Sequence, residues 1–203
     1  MTKKHIESFA KYAGLITICF EWLALLLFYT RKPAAFNGEN PISYFASFPE
    51  TKAIFSICLT IAAISFWVFT KYHLPKYYAV PIRLFTASMI GYALLALAPF
   101  NPTNATSSGI HQLLALFFSL TFFAGIYLVG RKNNDPLVRF VSYMSAALSA
   151  LIIVAFFSTP PTSHFVLPLE AASALVGQIW IVWISFHSFK SEGRSLGGHP
   201  THQ

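Results

Sequence analysis

The side chains of this chain that could do chemistry are few, and most of them stand inside long apolar runs. Glu21 is the first. Gly14 and Thr17 precede it by seven and four residues on the same helical face, so that face is small and polar and suits a helix bundle interior. An ionisable group inside a membrane span costs several kcal/mol, which makes it a functional candidate. Arg83 and Arg139 enter two later apolar runs from one end, and either could pair with Glu21 as an intramembrane ion pair. The alternative is that both arginines reach lipid phosphates while Glu21 is protonated or hydrogen-bonded. A mid-depth acid of this kind could serve a proton- or ion-coupled transporter.

His111 and Glu170 form the second constellation. Each begins an apolar run within about one helical turn of its end, at matching depth, with Gln112 adjacent and His164 just outside. Glu170, Ser173 and Gly177 share one helical face, and His111, Ala115 and Ser119 share another. Small faces of this kind let helices approach closely. An imidazole and a carboxylate at one depth could bind a polar head group or a cation, exchange a proton, or act as base and orienting acid in a lipid-modifying enzyme. Equally, they could form a structural hydrogen bond between two helices. Two ligands do not make a metal site, so no metal or cofactor is expected.

The elements that must hold these residues follow from composition. Of 203 residues, 55% are hydrophobic and 10% charged, far from the quarter or so of charged residues usual in a soluble domain. Mean hydropathy is +0.57. Six apolar runs, at about 12–30, 53–71, 78–99, 109–130, 136–158 and 166–189, each match the ~20 residues needed to span a bilayer. Breakers separate them: Pro33 and Asn37-Gly38, Pro75, Pro99 and Pro102, Asn133 through Pro136, and Pro160-Pro161. The expected fold is all-α, a polytopic membrane protein forming a bundle of six transmembrane helices over 1–190. A disordered cytoplasmic tail follows at 191–203.

Orientation follows from the basic residues. Eleven (Lys3, Lys4, Lys11, Lys71, Lys76, Arg83, Arg131, Lys132, Arg139, Lys190 and Arg194) fall on one face of the six-span scheme, and three (Arg31, Lys32 and Lys52) on the other. This asymmetry predicts a multi-pass protein of the cell membrane with both termini cytoplasmic. His111 and Glu170 then belong to the outer end. Serines at 142, 145 and 149 make a packing seam on the fifth run, and Gln178 an interhelical hydrogen bond on the sixth.

Several classes are excluded. The isoelectric point near 9.5 could suggest nucleic acid, but the basic residues punctuate apolar segments and form no basic stripe. Cys19 and Cys58 count to opposite leaflets and should not be bridged. Asp135 is the chain's one aspartate and falls in a turn, which excludes intramembrane aspartyl hydrolysis. No phosphate loop, nucleophile elbow or HExxH is present.

On particular motifs the chain resembles the six-helix family catalogued as domain of unknown function 998. These are Asn40-Pro41-Ile42-Ser43 in the first outer loop, Gly91 through Ala98-Pro99-Phe100, Gly109-Ile110-His111-Gln112, and Gly177-Gln178-Ile179-Trp180. That family reads Ser-Glu-Leu-Gly where this chain has Ser43-Tyr44-Phe45-Ala46. The architecture is also similar to the DRAM-like group, some of whose members handle lipids. The resemblance implies the six-helix topology and adds weight to His111. The leading expectation is a non-enzymatic protein binding a lipid or small amphiphile in an outward-facing pocket formed by His111, Glu170, Gln112 and His164. Membrane lipids are the expected partners, and the small-residue faces could also join copies of the chain.

Overall fold

Prolines and capping side chains fix where the helices start. Asn104 accepts a hydrogen bond from the Ser107 backbone N–H at 3.0 Å and opens α4 (Ala105–Lys132). Asp135 Oδ1 accepts from the N–H groups of Leu137 and Val138, and Pro136 takes the first helical position of α5 (Pro136–Ser158). Pro49 opens α2 (Pro49–Val68) in the same way. α1 runs Lys3–Arg31, α3 Ile82–Leu97 and α6 Val166–Gly197. The structure, a computed structural model, describes residues 3–35, 42–98, 100, 104–159 and 164–197, without the side chains of residues 3, 4, 45 and 191–197. The breakers Asn37-Gly38, Pro99, Pro102 and Pro160-Pro161, the Asn40-Pro41 motif and tail residues 198–203 lie outside the described residues.

Among the described residues the chain is an all-α bundle of six helices, and five of them are long and apolar enough to cross a membrane. The third apolar run departs from expectation. α3 begins at Ile82 rather than 78 and has 16 residues. Pro81 keeps Val80 out of the helical region, so the apolar Tyr77–Pro81 stretch cannot join the helix. Its exposed backbone is satisfied by Asn133, whose Oδ1 accepts from Ala79 N–H at 2.9 Å while its Nδ2 donates to the Ala79 carbonyl at 3.4 Å. α2 also ends irregularly, passing through a π-helical turn, Phe69–His73, and a 3-10 turn, Leu74–Lys76. Pro75 lacks an N–H and its ring would clash with the carbonyl four residues back, so the backbone bonds shift register before it. α6 passes the expected boundary at 190 and ends at Gly197, where consecutive glycines give poor helix formers.

Each helix packs against the next in chain order, and α6 returns to α1, so the six close a ring. The end where α1 begins and α6 finishes is solid. Phe66, Phe69, Phe85, Trp180 and Ile184 are buried there, and Phe66 meets Phe85 and Phe122 edge-on with ring centres 5.6 and 5.4 Å apart. Gly125 is required by this packing, since a Cβ there would come within 2.8 Å of the Phe85 ring. Outward positions such as Leu26, Ile57, Ile64, Leu113, Leu151 and Val154 are apolar and exposed, which is the make-up of a bundle surrounded by lipid. Ser142, Ser145 and Ser149 are buried on α5, as a packing seam requires. Cys19 is exposed and Cys58 buried, and neither is bridged.

Candidate functional site

At the other end the ring does not fill. A cavity of about 220 Å³ lies inside it, walled by all six helices and by the 3-10 segment Ile42–Ser47. Phe66, Phe122 and Ile181 form its floor, and Ile42 and Ser43 lie at its upper rim. Most of the wall is apolar. The polar groups reaching it include Glu21, Tyr92, His111, Glu170 and Gln178, with Ser119 and Ser173 beside them.

Glu21 is held by two neutral donors. Tyr92 O–H donates to Oε1 at 2.7 Å, and Gln178 Nε2 donates to Oε2 at 2.7 Å. The Gln178 carbonyl oxygen in turn accepts from Trp22 Nε1 at 3.0 Å. This chain of bonds ties α1, α3 and α6 together at one depth. It replaces the expected ion pair. Arg83 and Arg139 are both exposed and neither bonds to Glu21. Arg83 is nine residues before Tyr92 on α3, a separation of roughly 13 Å along the axis, beyond an arginine's useful reach. Arg139 is thirteen residues before the first cavity-lining position of α5, Ile152, roughly 20 Å away.

His111 and Glu170 line the same cavity, but the expected bond between them does not form. His111 Nδ1 donates to the Ala98 carbonyl at 2.5 Å, and its ring stands edge-on to Phe100. Glu170 Oε2 accepts from the Ile42 N–H. Both partners are backbone groups left over where an element starts or stops: Ala98 caps the end of α3, and Ile42 opens a 3-10 segment. Orphaned backbone groups must be satisfied when buried, and here they took the two side chains that would otherwise have met. Glu170 thereby fastens the Ile42–Ser47 segment to α6.

Of the other expected site residues, Gln112 is exposed and does not line the cavity, and His164 sits in an exposed turn away from it. The shared faces Glu170–Ser173–Gly177 and His111–Ala115–Ser119 do both turn inward to the cavity. Tyr92 was not anticipated. A mid-helix tyrosine reads as ordinary core until its depth is matched with that of Glu21.

A second polar cluster, also unanticipated, lies at the solid end. Asp135 Oδ2 faces His187 Nε2 at 3.5 Å, and Tyr78 O–H donates to His187 Nδ1 at 2.7 Å. Ser188 Oγ donates to the Ser185 carbonyl, so His73 Nε2 is the donor in its 2.9 Å bond to Ser188 Oγ. These bonds join the turns after α2 and α4 to α6. Among the described residues no three His, Cys, Asp or Glu side chains gather into a set that could hold a metal ion. No family model, curated protein or solved structure matches the chain.

Proposed function

We propose that this protein binds a lipid or small amphiphile in the ring cavity and performs no chemistry on it. The observation that carries this reading is the composition of the wall: a largely apolar enclosure of about 220 Å³ with its acids, imidazole and phenol gathered among Phe and Leu side chains. A cavity of ~150 Å³ already takes a molecule the size of benzene. Apolar walls accommodate an acyl or alkyl chain, and a few convergent polar groups orient a head group. A second reading, proton- or ion-coupled transport through Glu21, draws on the position of that carboxyl inside the bundle with Tyr92 and Gln178 on its two oxygens.

Ala115 lines the cavity from α4. With the protein in nanodiscs, Ala115→Phe is expected to displace a fluorescent alkyl-chain probe and weaken its binding by at least about tenfold, since the ring occupies the space the chain would take. Thermal unfolding of the variant should stay near that of the parent. Unchanged probe binding in a folded Ala115→Phe protein would overturn the reading.

The same proposal places the protein in the cell membrane with both termini cytoplasmic, on the eleven-to-three asymmetry of Lys and Arg. The Ile42–Ser47 segment and the cavity mouth then face outward. A cysteine placed at Thr106 should react with an impermeant maleimide added to intact cells, and one at Asn133 should not. The opposite pattern would reverse the orientation.

A further inference from the structure

We infer that the head group this cavity selects is a protonated primary amine, so that the ligand is a long-chain amine or an amphiphile ending in one. The inference rests on the amphiphile-binding reading above and adds the chemistry of its head. Two features point the same way, and the balance of donors and acceptors they leave points to an ammonium.

The first is the sign of the site. Glu21 and Glu170 both reach the cavity, and the hydrogen bonds they accept come from neutral groups: Tyr92, Gln178 and the backbone N–H groups of Ile42 and Ser43. The basic side chains at this end are directed elsewhere. Lys32 pairs with Glu50 at 2.9 Å and sits over the Phe48 ring, Arg31 donates to the Glu50 carbonyl, and Lys52 is exposed. A carboxylate shielded from water and lacking a cation is costly, and a ligand that brings the cation removes that cost.

The second feature is His111, which does not depend on the acids. It is 6% exposed and lines the cavity. A carbonyl can only accept, so the bond to Ala98 fixes the ring hydrogen on Nδ1 of the neutral imidazole and leaves Nε2 as a bare acceptor. Among the described residues no partner meets Nε2. Because His111 faces the cavity, this nitrogen is open to a donor that a ligand brings.

What remains is the balance of donors and acceptors. The Tyr92 hydrogen and one Gln178 amide hydrogen are spent on Glu21, and the Thr17 hydroxyl on backbone carbonyls. This leaves the second Gln178 hydrogen as a donor, while the hydroxyls of Ser43, Ser119 and Ser173 can turn either way. What faces the ligand is therefore dominated by acceptors. An ammonium has three donors and no acceptor, which matches two carboxyls and an imidazole nitrogen. A phosphate or carboxylate head would meet like charge at low dielectric with nothing to neutralise it. A hydroxyl head has one hydrogen to share and no charge.

The test compares dodecylamine, dodecanol and dodecanoate as competitors of the fluorescent alkyl probe on the full-length protein in nanodiscs of a zwitterionic lipid. Affinities are expressed per mole fraction in the bilayer, so that partitioning into lipid cancels. The amine is expected to compete at least about tenfold more strongly than the alcohol, the range of a charge-assisted hydrogen bond, and the carboxylate least of all. Glu170→Gln, which keeps side-chain shape and removes the charge, should shrink the amine's advantage over the alcohol. Equal competition by alcohol and amine, or stronger competition by dodecanoate, would overturn the amine inference and leave amphiphile binding standing. Failure of all three to displace the probe would overturn both. The comparison on the parent protein decides the matter even where a variant fails to fold.

Discussion

Trp180→Ala is expected to lower the unfolding free energy by about 3 kcal/mol, the low end of the range for emptying a tryptophan from a well-packed interior. The low end applies because in a bilayer the side chain leaves no water on folding, and only packing and hydrogen bonding are lost. Trp180 is fully buried on α6, stacks on Phe85 of α3 with ring centres 6.1 Å apart, and donates through Nε1 to Ser142 Oγ of α5 at 3.0 Å. One side chain thus joins three helices across the ring. Trp180→Phe keeps much of the stacking and drops the hydrogen bond, and should cost only about 1 kcal/mol. Denaturant unfolding in mixed micelles measures both. An alanine variant as stable as the parent would mean that the solid end of the bundle does not depend on this contact. Because Phe85 packs against Phe122, a floor residue of the cavity, the alanine variant should also loosen binding of the alkyl probe.

Glu21→Leu is the second large effect. The substitution removes both acceptor oxygens and strands the donors that used them. Gln178 keeps its bond from Trp22 but loses the acceptor of its Nε2, and the Tyr92 hydroxyl loses the acceptor on which it closed. A buried donor left unpaired costs about 1–3 kcal/mol. The decisive measurement is a double-mutant cycle with Tyr92→Phe. In the parent, Tyr92→Phe deletes a bond and should destabilise. In the Glu21→Leu background it deletes only a stranded hydroxyl and should be neutral or stabilising. Equal costs in the two backgrounds would show that the Tyr92–Glu21 bond contributes nothing.

What could be read from the residues alone, and what could not, divides along physical lines. The fifth helix was legible residue for residue, because Asp135-Pro136 gives both a cap and a start at one place. The third was overrun because Tyr77–Pro81 is as apolar as a span and only the backbone restriction imposed by Pro81 keeps it from being helical. Glu21 could be assigned to the bundle interior from Gly14 and Thr17, yet its partners could not be named. Charge complementarity pointed to arginine, and Tyr92 and Gln178 carry no charge to announce them. His111 and Glu170 both face the cavity. Their bonds escaped notice because the competitors were backbone groups at Ala98 and Ile42, and which backbone groups are orphaned depends on the residue at which a helix stops. The Asp135–His187–Tyr78 cluster was missed because its members come from three connections far apart in sequence.

The brevity of α3 has a consequence for the lipid rather than for the protein. Sixteen helical residues extend about 24 Å, against ~30 Å of hydrocarbon in an ordinary bilayer. Its neighbours α2 and α4 are longer, so the shortfall is confined to one sector of the perimeter, where Ile90, Leu94 and Leu97 meet the acyl chains. Lipids along that sector must shorten or tilt to keep their head groups level with the ends of the helix, which dimples the membrane on one side of the molecule. The energy of that dimple falls as the surrounding bilayer thins. Such a chain is therefore biased toward the thinner regions of whatever membrane holds it.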